Sequence, residues 1–260
     1  MTDLYEYHYG SLPLLVNIPH AGTRIPHRIY SRLSNTGKTL PDTDWHVPKL
    51  YNFARGLGAH LLIANYSRYV VDLNRPPDGA NLYPGGKSTG LIPTMLFDGS
   101  PLYTDKQTVS ELEITHRIDT YWRPYHKKII EVLGQIKNEH GYALLYDAHS
   151  IASCVPNLFE GTLPDLNLGT ANAQSCALEL EYAMAEVIQS SEFTSVVNGR
   201  FIGGYITRHY GNPAQKIQAA QMEIAQIAYM NESDFCYSEA KAADLIPVLR
   251  DALQAYLNPD

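Results

Sequence analysis

The sequence predicts an α/β fold, a single domain with a mixed, mostly parallel sheet flanked by helices. Two observations support this prediction: short apolar runs end abruptly in polar residues, as buried strands do, and amphipathic helical patterns lie between them. A chain of 260 residues with 45% hydrophobic and 18% charged side chains can bury one sizeable core. Because no repeat and no shift in composition marks a linker, we predict one domain over residues 1–260.

We interpret three apolar runs as buried strands: residues 12–18, 69–73 and 142–146. The polar residues that follow these runs are Pro19-His20, Asn74-Arg75-Pro76 and Asp147-Ala148-His149-Ser150. Ligands of open α/β sheets bind beyond the carboxyl ends of the strands. The polar strand ends are therefore the first place to look for function.

Four segments show helical periodicity: residues 46–57, 109–139, 176–189 and 239–257. Pro124 is expected to kink the second helix. Residues 76–103 and 151–173 are rich in Gly, Pro, Asn and Leu and lack periodicity. Loops of this length in a compact domain are often lids or binding loops, so we expect both at the mouth of the site.

Composition and charge exclude several classes of protein. Nucleic-acid binders and polybasic membrane-surface proteins carry an excess of positive charge, and the net charge of −7 argues against both classes. The sequence contains no apolar run long enough to span a bilayer and no secretory signal at its start. The three cysteines are widely spaced and form no C-x-x-C pair, which disfavours a disulfide framework. We expect a cytoplasmic protein that binds neither nucleic acid nor membrane.

Polar groups at or near the predicted strand ends suggest a metal site. His20, Asp44 and His149 provide two imidazoles and a carboxylate, which is the ligand set of a catalytic zinc with an open position for water. Glu223 would then be free to act as a general base on that water. A lone histidine at a strand end is more often structural, so the hypothesis depends on the whole set. The same ligands also suit iron, cobalt or manganese.

Other polar residues near these ends point to a substrate. Arg75 and Arg208 could bind carboxylates through bidentate guanidinium contacts, which favours an anionic substrate, or they could form ordinary surface ion pairs. Tyr205 lies close to Arg208 in the sequence and is a candidate substrate contact. Asp147 is interpreted either as a partner for an imidazole or as a cap of the following loop.

Seven segments, taken in order and spacing, resemble the N-formylglutamate amidohydrolases (N-formylglutamate deformylases), and the resemblance covers nearly the whole chain. The segments are Asn17-Ile18-Pro19-His20-Ala21-Gly22, Pro41-Asp42-Thr43-Asp44-Trp45-His46-Val47, Asp72-Leu73-Asn74-Arg75-Pro76, Tyr121-Trp122-Arg123-Pro124-Tyr125-His126, Asp147-Ala148-His149-Ser150, Leu158-Phe159-Glu160-Gly161 with Leu163-Pro164-Asp165-Leu166-Asn167-Leu168-Gly169-Thr170, and Gln221-Met222-Glu223-Ile224.

The resemblance implies a zinc-carboxypeptidase-like (phosphorylase/hydrolase-like) fold, shared with aspartoacylases. By position, His20 and His149 resemble the two histidine ligands of such sites, and Glu223 resembles the catalytic base. Asn74-Arg75 resembles the pair that holds a substrate carboxylate. Where those relatives have a glutamate three residues after the first histidine, this chain has Thr23, so the third ligand comes from elsewhere. We assign Asp44 as the third ligand and keep Asp42 as the alternative.

The implied reaction is zinc-dependent hydrolysis of N-formyl-L-glutamate to formate and L-glutamate in histidine degradation. Glu223 would move the proton, and Arg75 or Arg208 would stabilise the oxyanion while the other, with Asn74, holds a carboxylate. Residues 151–157 lack the arginines expected from relatives. Two alternatives therefore stay open: a zinc deacylase for another N-acyl amino acid, and a non-catalytic carboxylate-binding protein of the same fold.

Overall fold

The computed structural model describes residues 4–80, 89–104 and 109–258. Its centre is a sheet of seven strands: β1 (Tyr5–His8), β2 (Leu14–Ile18), β3 (His60–Ala64), β4 (Ala143–Ile151), β5 (Leu166–Gly169), β6 (Ser195–Val197) and β7 (Ile217–Ala225). A separate two-stranded ribbon consists of β8 (Met230–Asn231) and β9 (Cys236–Tyr237).

The seven strands lie in the order β1-β3-β2-β4-β7-β5-β6. The pairs β2·β3, β2·β4, β4·β7 and β5·β6 are parallel, whereas β1·β3 and β5·β7 are antiparallel. The predicted mixed, mostly parallel sheet is confirmed. In the register of the central strands, Asn17 is opposite Asp147 and His149 is opposite Glu223. Parallel pairing thus brings polar residues from distant parts of the chain to one edge.

Eight helices lie in the described residues: α1 (His27–Tyr30), α2 (Val47–Leu50), α3 (Phe53–Leu57), α4 (Glu111–Arg117), α5 (Arg123–His140), α6 (Leu178–Gln189), α7 (Tyr205–Tyr210) and α8 (Glu239–Leu257). Side chains of β2 alternate between the two faces of the sheet. Leu14 and Val16 join a core with α2, α3, α6 and α8, whereas Leu15 joins a core with α5. No helix in these ranges has the length and apolarity needed to cross a membrane.

The predicted helices are confirmed with changes in detail. Helices α6 and α8 match the segments 176–189 and 239–257. The segment 46–57 forms two short helices, α2 and α3, instead of one. The segment 109–139 contains α4, a π-helical stretch over Ile118–Trp122, and α5. Pro124 is the second residue of α5, directly after the π-helical stretch, and has no N–H to donate to the preceding turn.

The prediction of a strand at residues 69–73 is wrong, although the run is buried. Val70 N donates to Ser67 O at 2.9 Å in a turn, and the carbonyl oxygens of Tyr69 and Val70 accept from the Arg117 guanidinium. An arginine from α4 therefore satisfies backbone groups that a neighbouring strand would have paired. The strand in this part of the chain is β3, which precedes the run.

Two other boundaries differ from the prediction. Strand β4 continues beyond residue 146 to Ile151, so His149 lies within the strand and not after it. The segment 151–173, predicted to be a loop, contains β5, whose four residues are too few to show a clear alternation. In residues 76–103, the described positions 76–80 and 89–103 form no helix and no strand of the sheet, as predicted.

Arg117 is the largest fully buried side chain among the described residues. We therefore expect its substitution to have a strong effect on the stability of the protein. Its guanidinium pairs with Glu113 and donates to Val70 O at 3.1 Å. Replacing it by methionine leaves buried carbonyl groups without a donor, so we expect Arg117→Met to lower the free energy of unfolding by about 3 kcal/mol. Equilibrium urea denaturation measures the difference.

Arg123→Met is the matched control, because Arg123 pairs with Asp119 in the same i,i+4 spacing but is 65% exposed. An exposed pair contributes less than about 1 kcal/mol. Equal losses of stability in the two variants would contradict a structural role for the buried guanidinium.

Candidate active site

The three predicted metal ligands meet at one end of the sheet. His20 follows β2, Asp44 precedes α2, and His149 lies in β4. One potential ligand atom of each residue lies within 4.8 Å of the other two, and all three side chains are buried. Asp44 Oδ2 is 3.0 Å from His149 Nδ1 and 3.9 Å from His20 Nδ1. The Nδ1 atoms of both imidazoles therefore face the same carboxylate.

The opposite nitrogen of each imidazole pairs with a second carboxylate. His20 Nε2 lies 2.8 Å from Asp72 Oδ1, and His149 Nε2 lies 2.9 Å from Asp147 Oδ2. A carboxylate on this side of a ligating imidazole fixes the orientation of the ring and increases its basicity. The interpretation of Asp147 as a partner of an imidazole is confirmed.

Arg68 links two of these carboxylates. Its Nη2 donates to Asp72 Oδ2 at 2.8 Å, and its Nη1 lies 3.7 Å from Asp44 Oδ1. Burial alone would raise the pKa of Asp72, but the Arg68 guanidinium and His20 hold that pKa well below its usual range. The carboxylate is therefore ionised and can keep the His20 ring in place.

The two imidazoles differ in their affinity for protons. Burial, together with the charge of Arg68, lowers the pKa of His20, which favours the neutral form that binds a metal. Burial also opposes protonation of His149, but Asp147 and Asp44 raise the pKa of His149 well above its ordinary value. A cation that binds at His149 Nδ1 must therefore displace a proton.

The donor set fits a divalent cation. Asp44 Oδ1 is buried and has no hydrogen-bond partner among the described residues, since Arg68 Nη1 at 3.7 Å is too distant to donate, and this leaves the oxygen able to accept a closer cation. Asp42, the alternative third ligand, instead accepts from Phe97 N at 3.1 Å and lines a neighbouring cavity. The geometry thus favours Asp44 over Asp42.

Glu223 lies beside the cluster on β7, paired in register with His149. Its Oε2 accepts from Gln221 Nε2 at 3.1 Å, and the side chain is buried. Burial raises the pKa of Glu223 to about 7, with the negative charge of Asp44 adding to the shift and His149 opposing it. A carboxyl group that titrates near neutrality can both accept and donate a proton during a reaction.

The cluster opens into a cavity, called here the central cavity. It is lined by His20, Arg68, Asn74, Arg75, Thr89, Phe97, His149, Ser150, Ile151, Leu158, Arg200, Phe201, Gly204, Gln221 and Glu223. Described residues from both predicted loops are among them, which confirms that these loops border the site. Residues 81–88 of the first loop lie outside the described residues.

Asn74 and Arg75, predicted to hold a substrate carboxylate, both line the central cavity. Asn74 Oδ1 accepts from Ile206 N at 2.8 Å, and its Nδ2 lies 3.4 Å from Asp147 Oδ2, so the amide also ties α7 to β4. Arg75 donates from Nε to Thr89 O at 2.8 Å and from Nη1 to Asn74 O at 2.9 Å. These contacts fix the guanidinium at the wall of the cavity.

The lining of the central cavity does not include Arg208 or Tyr205 among the described residues, so their role as substrate contacts stays a prediction. Arg208 Nε donates to Gly203 O at 2.8 Å, and its side chain lines a separate cavity with Ile202. Tyr205 stacks on His209 with ring centroids 4.7 Å apart. Both residues belong to α7, and Gly204, just before this helix, borders the central cavity.

Sequence reasoning missed three charged residues of the site: Arg68, Asp72 and Arg200. Asp72 and Arg68 lie in or just before the run taken for a strand, where a buried ion pair leaves no periodic signal. Arg200 follows β6, a three-residue strand that the sequence did not reveal. The Asn198-Gly199 pair before Arg200 is a turn signal that could have drawn attention to this position.

Comparison with known proteins agrees with the geometry. Residues 12–230 match the model of the N-formylglutamate amidohydrolase family. The chain belongs to this family. It is 47% identical over 259 residues to the N-formylglutamate deformylases of Pseudomonas putida and Pseudomonas aeruginosa, covering 99% of this chain and 97% of each relative.

Solved structures share the fold of this family member. An N-formylglutamate amidohydrolase from Ralstonia eutropha JMP134 has a TM-score of 0.82 at 25% identity, covering 96% of this chain and 97% of that protein. A protein from Agrobacterium tumefaciens has a TM-score of 0.73 at 18% identity, covering 97% and 95% of the two chains, which shows likeness of fold alone.

The raised pKa of Glu223 predicts a pH-dependent stability of the metal-free protein. Because the pKa is about 7 in the folded state against 4.5 for an ordinary glutamate, its stabilising contribution is complete below pH 4.5 and is lost as pH rises through 7. The amide of Glu223→Gln does not titrate, so the variant does not lose stability in this way as pH rises. We expect the stability of the variant relative to the wild type to rise by about 3 kcal/mol from pH 4.5 to about 8.

Urea denaturation in the presence of a chelator, repeated across this pH range, measures the effect. A stability difference that stays constant with pH would contradict the raised pKa.

Proposed function

We propose that this protein is a zinc-dependent N-formylglutamate deformylase that hydrolyses N-formyl-L-glutamate to formate and L-glutamate. The observation that carries the proposal is the buried cluster of His20, Asp44 and His149, with Glu223 facing the same cavity. The names of the Pseudomonas relatives, 47% identical to this chain, support the choice of substrate. We further propose that residues 1–260 form one catalytic domain that acts in histidine degradation in the cytoplasm, as the family resemblance implies.

We infer that His20, Asp44 and His149 hold the metal, the two histidines through Nδ1. Their Nε2 atoms are engaged with Asp72 and Asp147, which leaves the Nδ1 atoms on the side of Asp44. Zinc bound there would lower the pKa of a coordinated water toward about 7 and polarise the formyl carbonyl.

Glu223 is the proposed general base and acid. It takes a proton from the water as the new carbon–oxygen bond forms and the formyl carbon becomes tetrahedral. It then gives the proton to the amine nitrogen as the carbon–nitrogen bond breaks, releasing glutamate and formate. A pKa near 7 suits both transfers, because the group is easily protonated and easily deprotonated at neutral pH.

We propose that Arg68 stabilises the developing oxyanion and that Arg75, with Asn74 beside it, binds the α-carboxylate of the substrate. Arg68 is buried, lines the central cavity, and has an Nε without a hydrogen-bond partner among the described residues. A charged donor fixed in advance stabilises a transition-state charge without reorganisation. Arg75 is more exposed to the cavity and takes the carboxylate role expected from the sequence.

A direct assay tests the reaction and the metal together. We expect the purified protein to release glutamate from N-formyl-L-glutamate, to lose this activity after treatment with a chelator, and to regain it when zinc is restored. N-acetyl-L-glutamate serves as the comparison substrate. Faster hydrolysis of the acetyl compound would favour a deacylase instead, and no release by folded, zinc-loaded protein would contradict the proposal.

Glu223→Gln separates proton transfer from metal binding. We expect kcat to fall by about 10²- to 10⁴-fold while zinc affinity stays close to that of the wild type, because the amide cannot accept the proton. Glu239→Gln changes the same functional group at an exposed position and should leave kcat unchanged. A Glu223→Gln enzyme that retains its activity would rule out this residue as the base.

A further inference from the structure

Three arginines line the central cavity: Arg68, Arg75 and Arg200. The charge of Arg68 is balanced within the protein, because its guanidinium lies 2.8 Å from Asp72 and 3.7 Å from Asp44. Arg75 and Arg200 are partly exposed. N-formylglutamate carries two carboxylates, so a cavity that selects it within a protein of net charge −7 needs two cationic groups.

Arg200 lies on the apolar wall of the central cavity. Its Nε donates to Leu158 O at 3.3 Å, and its guanidinium lies 5.1 Å from the centre of the Phe201 ring. Leu158 and Phe201 line the same cavity, where they pack with Ile151 in a small apolar cluster. This wall suits the methylene groups of a side chain that ends in a carboxylate.

Arg75 adjoins a residue that contacts the metal cluster. It follows Asn74, whose Nδ2 is 3.1 Å from His149 Nε2 and 3.4 Å from Asp147 Oδ2. Arg75 contacts Asn74 and Thr89, whereas Arg200 contacts Leu158 and Phe201, so the two arginines have different neighbours in the cavity wall. In N-formylglutamate the α-carboxylate is attached to the carbon that bears the scissile amide nitrogen, whereas the side-chain carboxylate lies further along the chain.

The segment that carries Arg200 is held at both ends. Before it, Asn198 Oδ1 accepts from Thr170 N at 2.9 Å. After it, Gly204 N donates to Gln221 Oε1 at 2.7 Å, and a Cβ at Gly204 would lie only 2.3 Å from the Asn74 amide nitrogen. An anchored backbone restricts where the Arg200 side chain can lie before the substrate arrives, which lowers the entropic cost of binding.

We propose that Arg200 binds the side-chain carboxylate of the substrate and so determines the preference for an acidic N-formyl amino acid. The inference rests on the proposed function and extends it, because it assigns the second carboxylate to a residue that the sequence did not indicate. Arg75 binds the first carboxylate, and the apolar side chains beside Arg200 contact the methylene groups between the two.

The test compares Arg200→Gln with the wild type on two substrates of nearly identical shape, N-formyl-L-glutamate and N-formyl-L-glutamine. We expect kcat/KM for the glutamate compound to fall by about 10- to 100-fold, mainly through KM, because one charge-assisted contact is lost. The glutamine compound has no side-chain charge, so its kcat/KM should change by less than about threefold. Arg200→Lys keeps the charge without the planar fork and should recover part of the preference.

Arg208→Gln is the matched comparison, since Arg208 is a further arginine that the sequence suggested for substrate binding and it lines a different cavity. We expect the ratio of the kcat/KM values for the two substrates to be the same in this variant as in the wild type. The proposal would be overturned if Arg200→Gln lowered kcat/KM equally for both substrates and Arg200→Lys did not recover the preference for the glutamate compound. It would also be overturned if Arg208→Gln lowered kcat/KM for the glutamate compound alone. If the wild type hydrolyses neither compound, the proposed function itself fails. If the wild type hydrolyses N-formylglutamate but Arg200→Gln leaves the ratio of the two kcat/KM values unchanged, only the role of Arg200 is refuted.

Discussion

A buried network of alternating charges is the constraint on which this site depends. It runs from Asp147 through His149 and Asp44 to Arg68 and Asp72, with neighbouring charged or polar atoms 2.8 to 3.7 Å apart. Buried charges are tolerated only when each is paired, so the position of one member restricts the positions of the next. The network holds both imidazoles with Nδ1 toward Asp44, the orientation that the proposed metal chemistry requires.

The sheet builds this network by parallel pairing. Asn17 on β2 donates to Asp147 Oδ1 on β4 at 2.6 Å, and the Tyr125 hydroxyl on α5 donates to Asn17 Oδ1 at 2.7 Å. Pairing of β4 with β7 sets Glu223 beside His149. A slip of one residue in either pair would turn these side chains to the opposite face of the sheet. The fold class, β2, β4, α6 and α8 were predictable because their apolar patterns are strong and local.

The sequence also grouped His20, Asp44, His149 and Glu223 as one candidate site, and the structure brings the first three together with Glu223 on the same cavity. Prediction from the sequence was wrong where the structure buries charged side chains, because these leave no periodic pattern in the sequence. The run at 69–73 resembles a strand, but Arg117 satisfies its carbonyl groups. Arg200 was missed for a related reason: which side chain of a turn or short helix faces a cavity depends on long-range packing, which no local pattern records.

The most direct test of this arrangement is a crystal structure of the protein grown with zinc, with the metal located by anomalous scattering. The network predicts one zinc bound by Nδ1 of His20, Nδ1 of His149 and the carboxylate of Asp44, with Asp72 and Asp147 still on the Nε2 atoms. Zinc bound through Nε2 of either histidine, or located away from Asp44, would contradict it.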